Sequence, residues 1–491
     1  MHPRLKQAII FVGAILASLW LASELATGSY FAPGIAAVIA IGFVLSRLWR
    51  LEIDTILLGL ALIGYLVGSR GFAQLSLLRG VPLLPAEIAL GLALAWRVIR
   101  CAYEKTLPWR GGLLEWALLG WLVLGSARML FDLPRHGFMA IRDYAMVYYV
   151  LLYFIVRHMT AHADARRFLV GCLVSGLLGL ALVYPLTLAF PSFFLRQLVI
   201  GQVPLIFHKE DIVQTFFAAG GILLFHWAPL RWRFALWPLA CLIYLQALAS
   251  DVRAALVGGL LAVAFMAAAG RWRFAMTQAA LGTTGLVLLA ALSFAPGQDW
   301  AEQRFADITD RAATIFQVDP LGSQHVNKGY KVDNNRFRLV WWRTVATEVL
   351  TQNPAFGLGF GADLSAAFLR EYDQDMGEEF LARSPHSIVV TALGRMGLVG
   401  AGIWACLSIA LLRHAWQAFR GVDGVSVGMW AGLLVILISA TFGVVLEGPM
   451  GAFPFWIMLG LARDRDDLLR QPPPSPPIAP TAALHDPPPA L

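Results

Sequence analysis

The stretch SPHSIVVTALGRMGLVGAGIWACLSIALLRH, residues 384–414, begins as a polar turn and continues as a long apolar run. A helix that crosses the hydrocarbon of a bilayer needs about 20 mainly apolar residues, and this run supplies them. Ser384 and Pro385 precede His386, so this histidine is an ordinary helix-start residue in one interpretation and a chemical group in another. The rest of the chain indicates which solvent His386 faces.

The composition is typical of a membrane protein. The chain has 491 residues, of which 58% are hydrophobic and 14% are charged. Soluble domains carry about 45–50% apolar and about 25% charged residues, so the apolar excess is too large for a protein core and fits a bilayer. The 17 Trp and 45 Gly residues also suit membrane helices, in which Trp anchors the interfaces and Gly permits close packing.

Apolar runs separated by polar loops predict an all-α polytopic membrane protein with about 12–14 transmembrane helices. The first run follows a basic start, but the apolar pattern continues beyond it, so we interpret it as an uncleaved span. The predicted spans are 7–24, 32–48, 53–69, 81–99, 112–130, 142–158, 167–190, 212–228, 233–249, 252–270, 274–295, 386–413, 425–445 and 449–462.

The distribution of basic residues predicts the orientation. With a cytoplasmic N-terminus, inner loops such as WRVIRCAYEKTLPWRGG and VRHMTAHADARR are rich in Arg or Lys, as cytoplasmic loops usually are. The outer segments are poorer, although ARMLFDLPRHGFMAIRD carries positive charges too. The loop 296–385 contains nine Lys or Arg and thirteen Asp or Glu residues, and its net charge of −4 favours the outer side. His386 then stands at the outer membrane face.

These spans divide the chain into four parts. They are an N-terminal transmembrane bundle (1–295), an outer loop or cap (296–385), C-terminal transmembrane helices (386–462) and a Pro-rich cytoplasmic tail (463–491). The sequence QPPPSPPIAPTAALHDPPPAL, which begins at residue 471, lacks the apolar residues that a core requires. The tail is therefore expected to be disordered.

Two helices and a glycine-rich turn are expected in the outer loop. RFRLVWWRTVATEVL (336–350) has apolar residues at helical spacing, and DLSAAFLREY (363–372) predicts a second helix. Between them, QNPAFGLGFGAD supplies three glycines as G-x-G-x-G. This array resembles half of a nucleotide fingerprint, but no strand precedes it. A tight turn is therefore the favoured interpretation.

Several other functional classes are disfavoured. The net charge of +7 comes with Arg residues at the ends of apolar runs, which is a topology pattern, so no nucleic-acid partner is expected. The four cysteines show no Cys-x-x-Cys or Cys/His spacing. Neither a disulfide framework nor a metal site nor a cofactor is predicted.

Some charged residues lie at the predicted outer face, where the positive-inside rule does not account for them. Asp251 and Arg253 lie between two apolar runs with almost no loop. A charge inside the bilayer costs about 2.5–3.5 kcal/mol, so it usually faces a cavity or a partner. Arg338 lies in the first cap helix, and Glu447 lies between the last two spans. The ordinary alternatives are a snorkelling or solvated arginine and a turn carboxylate.

In this order along the chain, ASDVRAAL, RLVWWRTVATEVLTQNPAFGLGFG and HSIVVTALGRMGLVG resemble the O-antigen ligase and O-antigen polymerase superfamily. The resemblance covers roughly residues 205–462. It matches Arg253 to the family's arginine at the start of a span and His386 to its catalytic histidine. It matches Arg338 to the loop-helix arginine, with Arg336 as an alternative. The chain departs from the family at HKED (208–211), where many relatives carry an Asn.

The resemblance implies an inverting, metal-independent glycosyltransferase without a cofactor. It would transfer a preassembled glycan from undecaprenyl diphosphate to a lipid A core or similar acceptor, at the periplasmic face of the bacterial inner membrane. Arg253 and Arg338 would bind the diphosphate, and His386 would accept the proton of the acceptor hydroxyl. Supporting roles are expected for Arg336, Asp251, Glu447 and Asp211.

Other functions stay open at this point. A polymerase that joins lipid-linked repeat units needs the same histidine and arginines, and so does a ligase with a protein acceptor. A polysaccharide transporter is a different class, which would show internal repeats and charge pairs in the middle of spans. The sequence shows no internal repeat, and its unusual charges gather at one face. Glycosyl transfer is therefore favoured over transport.

Overall fold

The computed structural model describes residues 51–76, 84–105, 109, 111–227, 238–240, 243, 252–293, 302–303, 305–306, 329–372 and 383–470. The predicted spans 7–24 and 32–48, nearly all of 233–249, and Asp251 lie outside these residues, as does the tail from 471. The predicted all-α polytopic fold is confirmed in the described part, where every other predicted span contains a helix. A two-stranded hairpin, β1 (Val199–Ile200) and β2 (Val203–Pro204), accompanies these helices.

The helices follow one another along the chain with short connections in most places. They are α1 (Ile53–Gly68), α2 (Arg70–Ala73), α3 (Pro85–Glu104), α4 (Leu113–His136), α5 (Phe138–Asp143), α6 (Ala145–Tyr148), α7 (Leu151–Met159), α8 (Ala163–Ala189), α9 (Glu210–Trp227), α10 (Arg253–Ala268), α11 (Trp272–Ser293), α12 (Gly329–Gln352), α13 (Ala366–Tyr372), α14 (Ile388–Arg420), α15 (Gly424–Thr441) and α16 (Pro449–Arg470).

Four described helices are long and apolar enough to cross a membrane by themselves, namely α4, α8, α14 and α15. A fifth span is formed if α5–α6 and α7 are taken together, although these two parts meet at a bend of 43°. Helices α1 and α10 are apolar but shorter. This variation in length is compatible with a tight bundle, in which neighbouring helices shield the ends of short ones.

Helix α15 lies at the centre of the bundle and packs against α9, α10, α14 and α16. Its glycines permit this close packing. A Cβ on Gly428 would lie 3.1 Å from the Leu223 carbonyl oxygen of α9, and a Cβ on Gly432 would lie 3.3 Å from that of Ala219. Small residues let helix backbones approach within a membrane, where lipid is as apolar as a Leu side chain.

The two ends of the bundle differ. At one end, α12 and the loop that follows it contact the C-terminal ends of α4 and α15 and the N-terminal ends of α10 and α14. We name this the cap end. At the opposite end, buried ion pairs join the helices, and Arg97 of α3 contacts Asp54 of α1 at 2.7 Å. The cap end therefore holds the described part of the predicted outer loop and those predicted site residues that the structure describes.

Helix α16 continues to Arg470, past the predicted end of the last span at residue 462. Its charged turn is buried because it forms ion pairs inside the opposite end. Asp464 accepts from Arg166 at 3.1 Å, and Asp466 accepts from Ser426 and from Trp430 at 2.7 and 3.0 Å. Residues 463–470, which the sequence analysis assigns to the tail, thus belong to the helical bundle.

Candidate active site

The cap end brings predicted site residues together from distant parts of the chain. Arg253 is the first residue of α10, and Arg338 lies within α12. His386 lies in the turn that precedes α14, and Glu447 lies between α15 and α16. Asp211 lies in the first turn of α9. We name these five residues, together with Lys209, the cap-end cluster.

Helix α12 contributes Arg338 to the cluster and binds Arg253 of α10 through Asn335. The Arg253 Nη1 donates to the Asn335 Oδ1 at 3.1 Å, and the Arg338 Nη1 donates to the Phe442 carbonyl oxygen at 2.8 Å. Asn335 and Arg338 are three residues apart, so they share one face of α12. Burial and the nearby charge of Arg253 lower the pKa of Arg338, and Asp211 opposes this effect. Two adjacent cations of this kind favour an anionic ligand.

His386 precedes the helix instead of starting it. Its φ of 54° is left-handed, a region that non-glycine residues rarely adopt. Ser387, not Ser384, is the N-cap of α14, and its Oγ accepts from the Val390 amide at 3.4 Å. The Trp342 Nε1 donates to the Pro385 carbonyl oxygen at 2.7 Å and ties the turn to α12. The interpretation of His386 as an ordinary helix-start residue therefore does not describe its backbone.

The surroundings of His386 keep its imidazole neutral at pH 7. Burial lowers its pKa most, followed by the positive charges of Arg338 and Lys209. Asp211 and a hydrogen bond with the Ser384 backbone act in the opposite direction. A neutral imidazole has one nitrogen that can accept a proton, which is the requirement for a general base.

Glu447 connects the turn of His386 to the loop between α15 and α16. The Thr391 Oγ1 donates to the Glu447 Oε1 at 2.9 Å, and the Ser384 and Thr391 hydroxyls are 3.3 Å apart. Burial raises the pKa of Glu447, although hydrogen bonds from Ser384 and Thr391 and the charges of Arg395 and Lys209 oppose this. Its carboxyl thus stabilises the turn on both sides of His386.

Lys209 is a cluster member that the sequence analysis includes only in the HKED departure from the family, and not among the predicted site residues. Its Nζ lies 3.2 Å from the Asp211 Oδ2, and its charge acts on both His386 and Glu447. The sequence feature that could have identified Lys209 is the HKED stretch, which places a positive charge at the outer end of the span predicted at 212–228. The neighbouring Glu210 is not part of the cluster, and its carboxylate accepts hydrogen bonds from Tyr184 and Gln214.

The structure separates Arg336 from the cluster. Arg336 precedes Arg338 by two residues, which corresponds to a rotation of about 200° around a helix and places Arg336 on the opposite side of α12. Arg338 is consequently the residue of the pair that faces Arg253. Asp251, the remaining predicted residue, is not among the described residues.

The glycine array forms a tight loop that docks on the bundle. Gly357, Gly359 and Gly361 have φ values of 71°, 99° and 84°. The Phe360 amide donates to Asp132 at 2.7 Å, and the Gly361 amide donates to Asp143 at 3.0 Å. Because carboxylates of the protein already bind these two amides, the loop has the character of a packed turn and differs from a phosphate-binding fingerprint.

No group of three or more His, Cys, Asp or Glu side chains in the described residues has an arrangement that could hold a metal ion. The cap-end cluster contains the cations Arg253, Arg338 and Lys209 and the carboxyl groups of Asp211 and Glu447. This arrangement can bind an anion and accept a proton at His386.

Comparison with known protein families gives one match to this region. Residues 239–405 match the family described as O-antigen ligase, which is 167 of the 491 residues. The matched segment includes Arg253, Arg338 and His386, whereas Lys209, Asp211 and Glu447 lie outside it. No curated protein matches the sequence. Residues 239–405 of this multi-pass membrane protein are therefore similar to the O-antigen ligase family.

Proposed function

We propose that the protein transfers a preassembled glycan from undecaprenyl diphosphate to an acceptor such as a lipid A core. The observation that carries this proposal is the convergence of Arg253 and Arg338, from α10 and α12, beside His386, whose pKa burial lowers. The similarity to the O-antigen ligase family supports a lipid-linked glycan as the donor class. The reaction then takes place at the periplasmic face of the inner membrane, with the cap end outward.

The arginines stabilise the leaving diphosphate. Breaking the bond between the sugar and the lipid diphosphate puts negative charge on the departing oxygen. Arginine donates two parallel hydrogen bonds to phosphate, and fixed cations in a partly buried site stabilise such a charge strongly. Lys209 is a third cation, and it can exchange its 3.2 Å contact with Asp211 for a phosphate oxygen when the donor binds. The protein's cations then supply this stabilisation without a metal ion.

His386 accepts the proton of the acceptor hydroxyl. The hydroxyl oxygen forms a bond to the anomeric carbon while the bond from that carbon to the diphosphate breaks, and the proton passes to the imidazole. A single displacement of this kind inverts the anomeric configuration. Glu447 and Trp342 hold the turn in which the histidine lies. The lipid tail of the donor reaches the site from the side, because the cluster lies where helices meet the cap.

The test is complementation of a deletion strain with wild-type protein and with His386→Ala, at matched levels in the membrane. His162→Ala is the control, because His162 precedes α8 at the opposite end of the bundle. We expect His386→Ala to leave the surface glycan missing and His162→Ala to restore it. Full-length chains stranded on the lipid carrier identify a ligase. Single repeat units on the acceptor identify a polymerase. Full restoration by His386→Ala contradicts the proposal.

A further inference from the structure

A set of buried charges outside the cap-end cluster holds the glycine loop, residues 357–362. Arg395 of α14 is 2% exposed, and its Nη2 lies 2.7 Å from the Asp143 Oδ2. Its Nη1 donates to the Gly359 carbonyl oxygen at 3.0 Å and also to that of Ala362. One arginine thus binds the loop backbone and a carboxylate of α5 at the same time.

Carboxylates from α4 and α5 bind the amides of the same loop. Asp143 accepts from the Gly361 amide, and Asp132 accepts from the Phe360 amide. Arg128 lies 3.0 Å from Asp132 and donates to the Gly357 carbonyl oxygen at 3.3 Å. Within the described residues, two Arg–Asp pairs therefore flank the loop from α4, α5 and α14.

The backbone of α14 is shaped to receive this loop. Gly397 has φ 66° and ψ −161°, which interrupts the helix. Around this break, the Leu358 amide donates to the Gly394 carbonyl oxygen at 2.7 Å, and the Leu398 amide donates to that of Pro354 at 2.8 Å. The loop consequently joins α14 by main-chain hydrogen bonds as well as by charges.

The position of the loop determines where α12 lies. Helix α12 ends at Gln352, just before the loop, and α14 begins at Ile388, two residues after His386. Arg338 is on α12, and His386 is tied to the start of α14. A loop that holds α12 to α14 therefore contributes to the separation between Arg338 and His386, together with the Trp342–Pro385 hydrogen bond.

We propose that Arg395 and Asp143 are positioning residues, which hold the glycine loop against the bundle so that α12 presents Arg338 to His386. Burying charges is costly unless they are paired, and here each of the two paired side chains also binds a backbone group of the glycine loop. The inference rests on the proposed function for the role of His386, but its physical readout does not require transfer activity.

The readout is the reactivity of His386 toward diethyl pyrocarbonate, which modifies the neutral imidazole, measured by mass spectrometry as a function of pH. Arg338 is one of the groups that lower the pKa of His386. Lys209 and Asp211 at the start of α9 and the Ser384 backbone also act on the ring, but none of them is on α12. If α12 moves away, the midpoint of modification shifts to higher pH.

The variants are Arg395→Gln and Asp143→Asn, with Arg97→Gln as a matched control. Arg97 is 4% exposed and also lies 2.7 Å from a carboxylate, but at the opposite end of the bundle. We expect both cap-end variants to raise the midpoint and to lower kcat/KM by about ten- to a hundredfold, as small misplacements of catalytic groups do. Arg97→Gln should change neither quantity.

Arg395→Lys separates positioning from folding. Lysine keeps the charge but lacks the fork that reaches several acceptors at once, so an intermediate midpoint is expected. Folding is checked by size-exclusion chromatography in detergent. If Arg395→Gln does not fold, the modification midpoint of Asp143→Asn provides the test instead. An unchanged midpoint in the folded variants overturns the inference. A shifted midpoint together with full activity of His386→Ala would instead contradict the proposed function alone.

Discussion

At the residue scale, the geometry of His386 depends on its neighbours in space. A non-glycine residue in the left-handed region costs about 1–3 kcal/mol, and it persists only where the surrounding structure imposes it. Trp342 binds the carbonyl on one side of His386, and Ser387 caps α14 on the other. The strain and the lowered pKa occur at the same residue, which is typical of functional groups.

The pH dependence of transfer provides a test of His386 and Arg338. A general base must be neutral, so kcat/KM falls as the pH drops through the pKa of His386. Because this pKa is lowered from 6.5, the acid limb should lie below pH 6.5. Arg338→Gln removes one cause of the lowering and should move the limb to higher pH. Arg338→Lys keeps the charge and should leave the limb nearly unchanged.

This comparison uses purified protein in nanodiscs, with kcat/KM measured between about pH 5 and pH 8, the range in which histidine titrates. Both Arg338 variants are expected to lose affinity for the donor, so the informative quantity is the position of the limb. A limb that stays in place for Arg338→Gln would contradict the electrostatic coupling between these two residues.

At the element scale, glycines of one helix and one loop have two different purposes. In α15 they allow neighbouring helices to approach. In the loop they provide positive φ values and leave room for carboxylates. A Cβ on Gly359 would lie 2.5 Å from the Asp132 Oδ2 and 2.6 Å from the Arg128 Nη2. The G-x-G-x-G spacing is therefore explained by close packing of the loop against other side chains of the same protein.

Gly359→Ala should destabilise the protein by about 1–3 kcal/mol, since it combines a left-handed φ with a steric clash. The matched control is Gly402→Ala in α14, because no atom lies within 4 Å of a Cβ at Gly402. Alanine is favoured over glycine in a helix by about 1 kcal/mol, so this control should be neutral or stabilising. Thermal unfolding in detergent measures both. Equal melting temperatures for the two variants would contradict the steric argument.

At the scale of the whole molecule, the cap end differs from the opposite end because it holds two adjacent cations in addition to paired charges. At the cap end, Arg253 and Arg338 lie together and favour an anion. At the opposite end, arginines and carboxylates of α4, α7, α8 and α16 pair with one another. Paired buried charges favour a unique arrangement of helices, whereas an excess of one sign favours a ligand.

Asp464→Asn tests the stabilising role of the opposite end. Asp464 lies 3.1 Å from Arg166 and 3.7 Å from Arg157, and its side chain is 7% exposed. Breaking a buried pair should lower the free energy of unfolding by about 3 kcal/mol. Asp164→Asn is the control, because its pair with Arg167 is exposed and should contribute at most about 1 kcal/mol. Similar losses in both variants, measured by unfolding in detergent, would refute the expected difference.

The sequence alone determined the all-α membrane architecture and the two cap helices. In the described residues each predicted span contains a helix, because a bilayer requires apolar runs whose backbone groups bond within the segment. The ends of the spans were harder to predict than their positions. The span predicted to end at residue 462 continues to Arg470, since the ion pairs that bury its charged turn come from other helices.

The sequence also singled out Arg253, Arg338 and His386 as candidates, because charges at an outer membrane face stand out against apolar runs. Only the tertiary structure decided that the three lie together, that Lys209 joins them and that Arg338 is close to Arg253. It also paired Arg395 with Asp143, which are far apart in the chain. The reason is physical: apolar periodicity is a local property of the chain, whereas a contact between two charges depends on how whole helices pack.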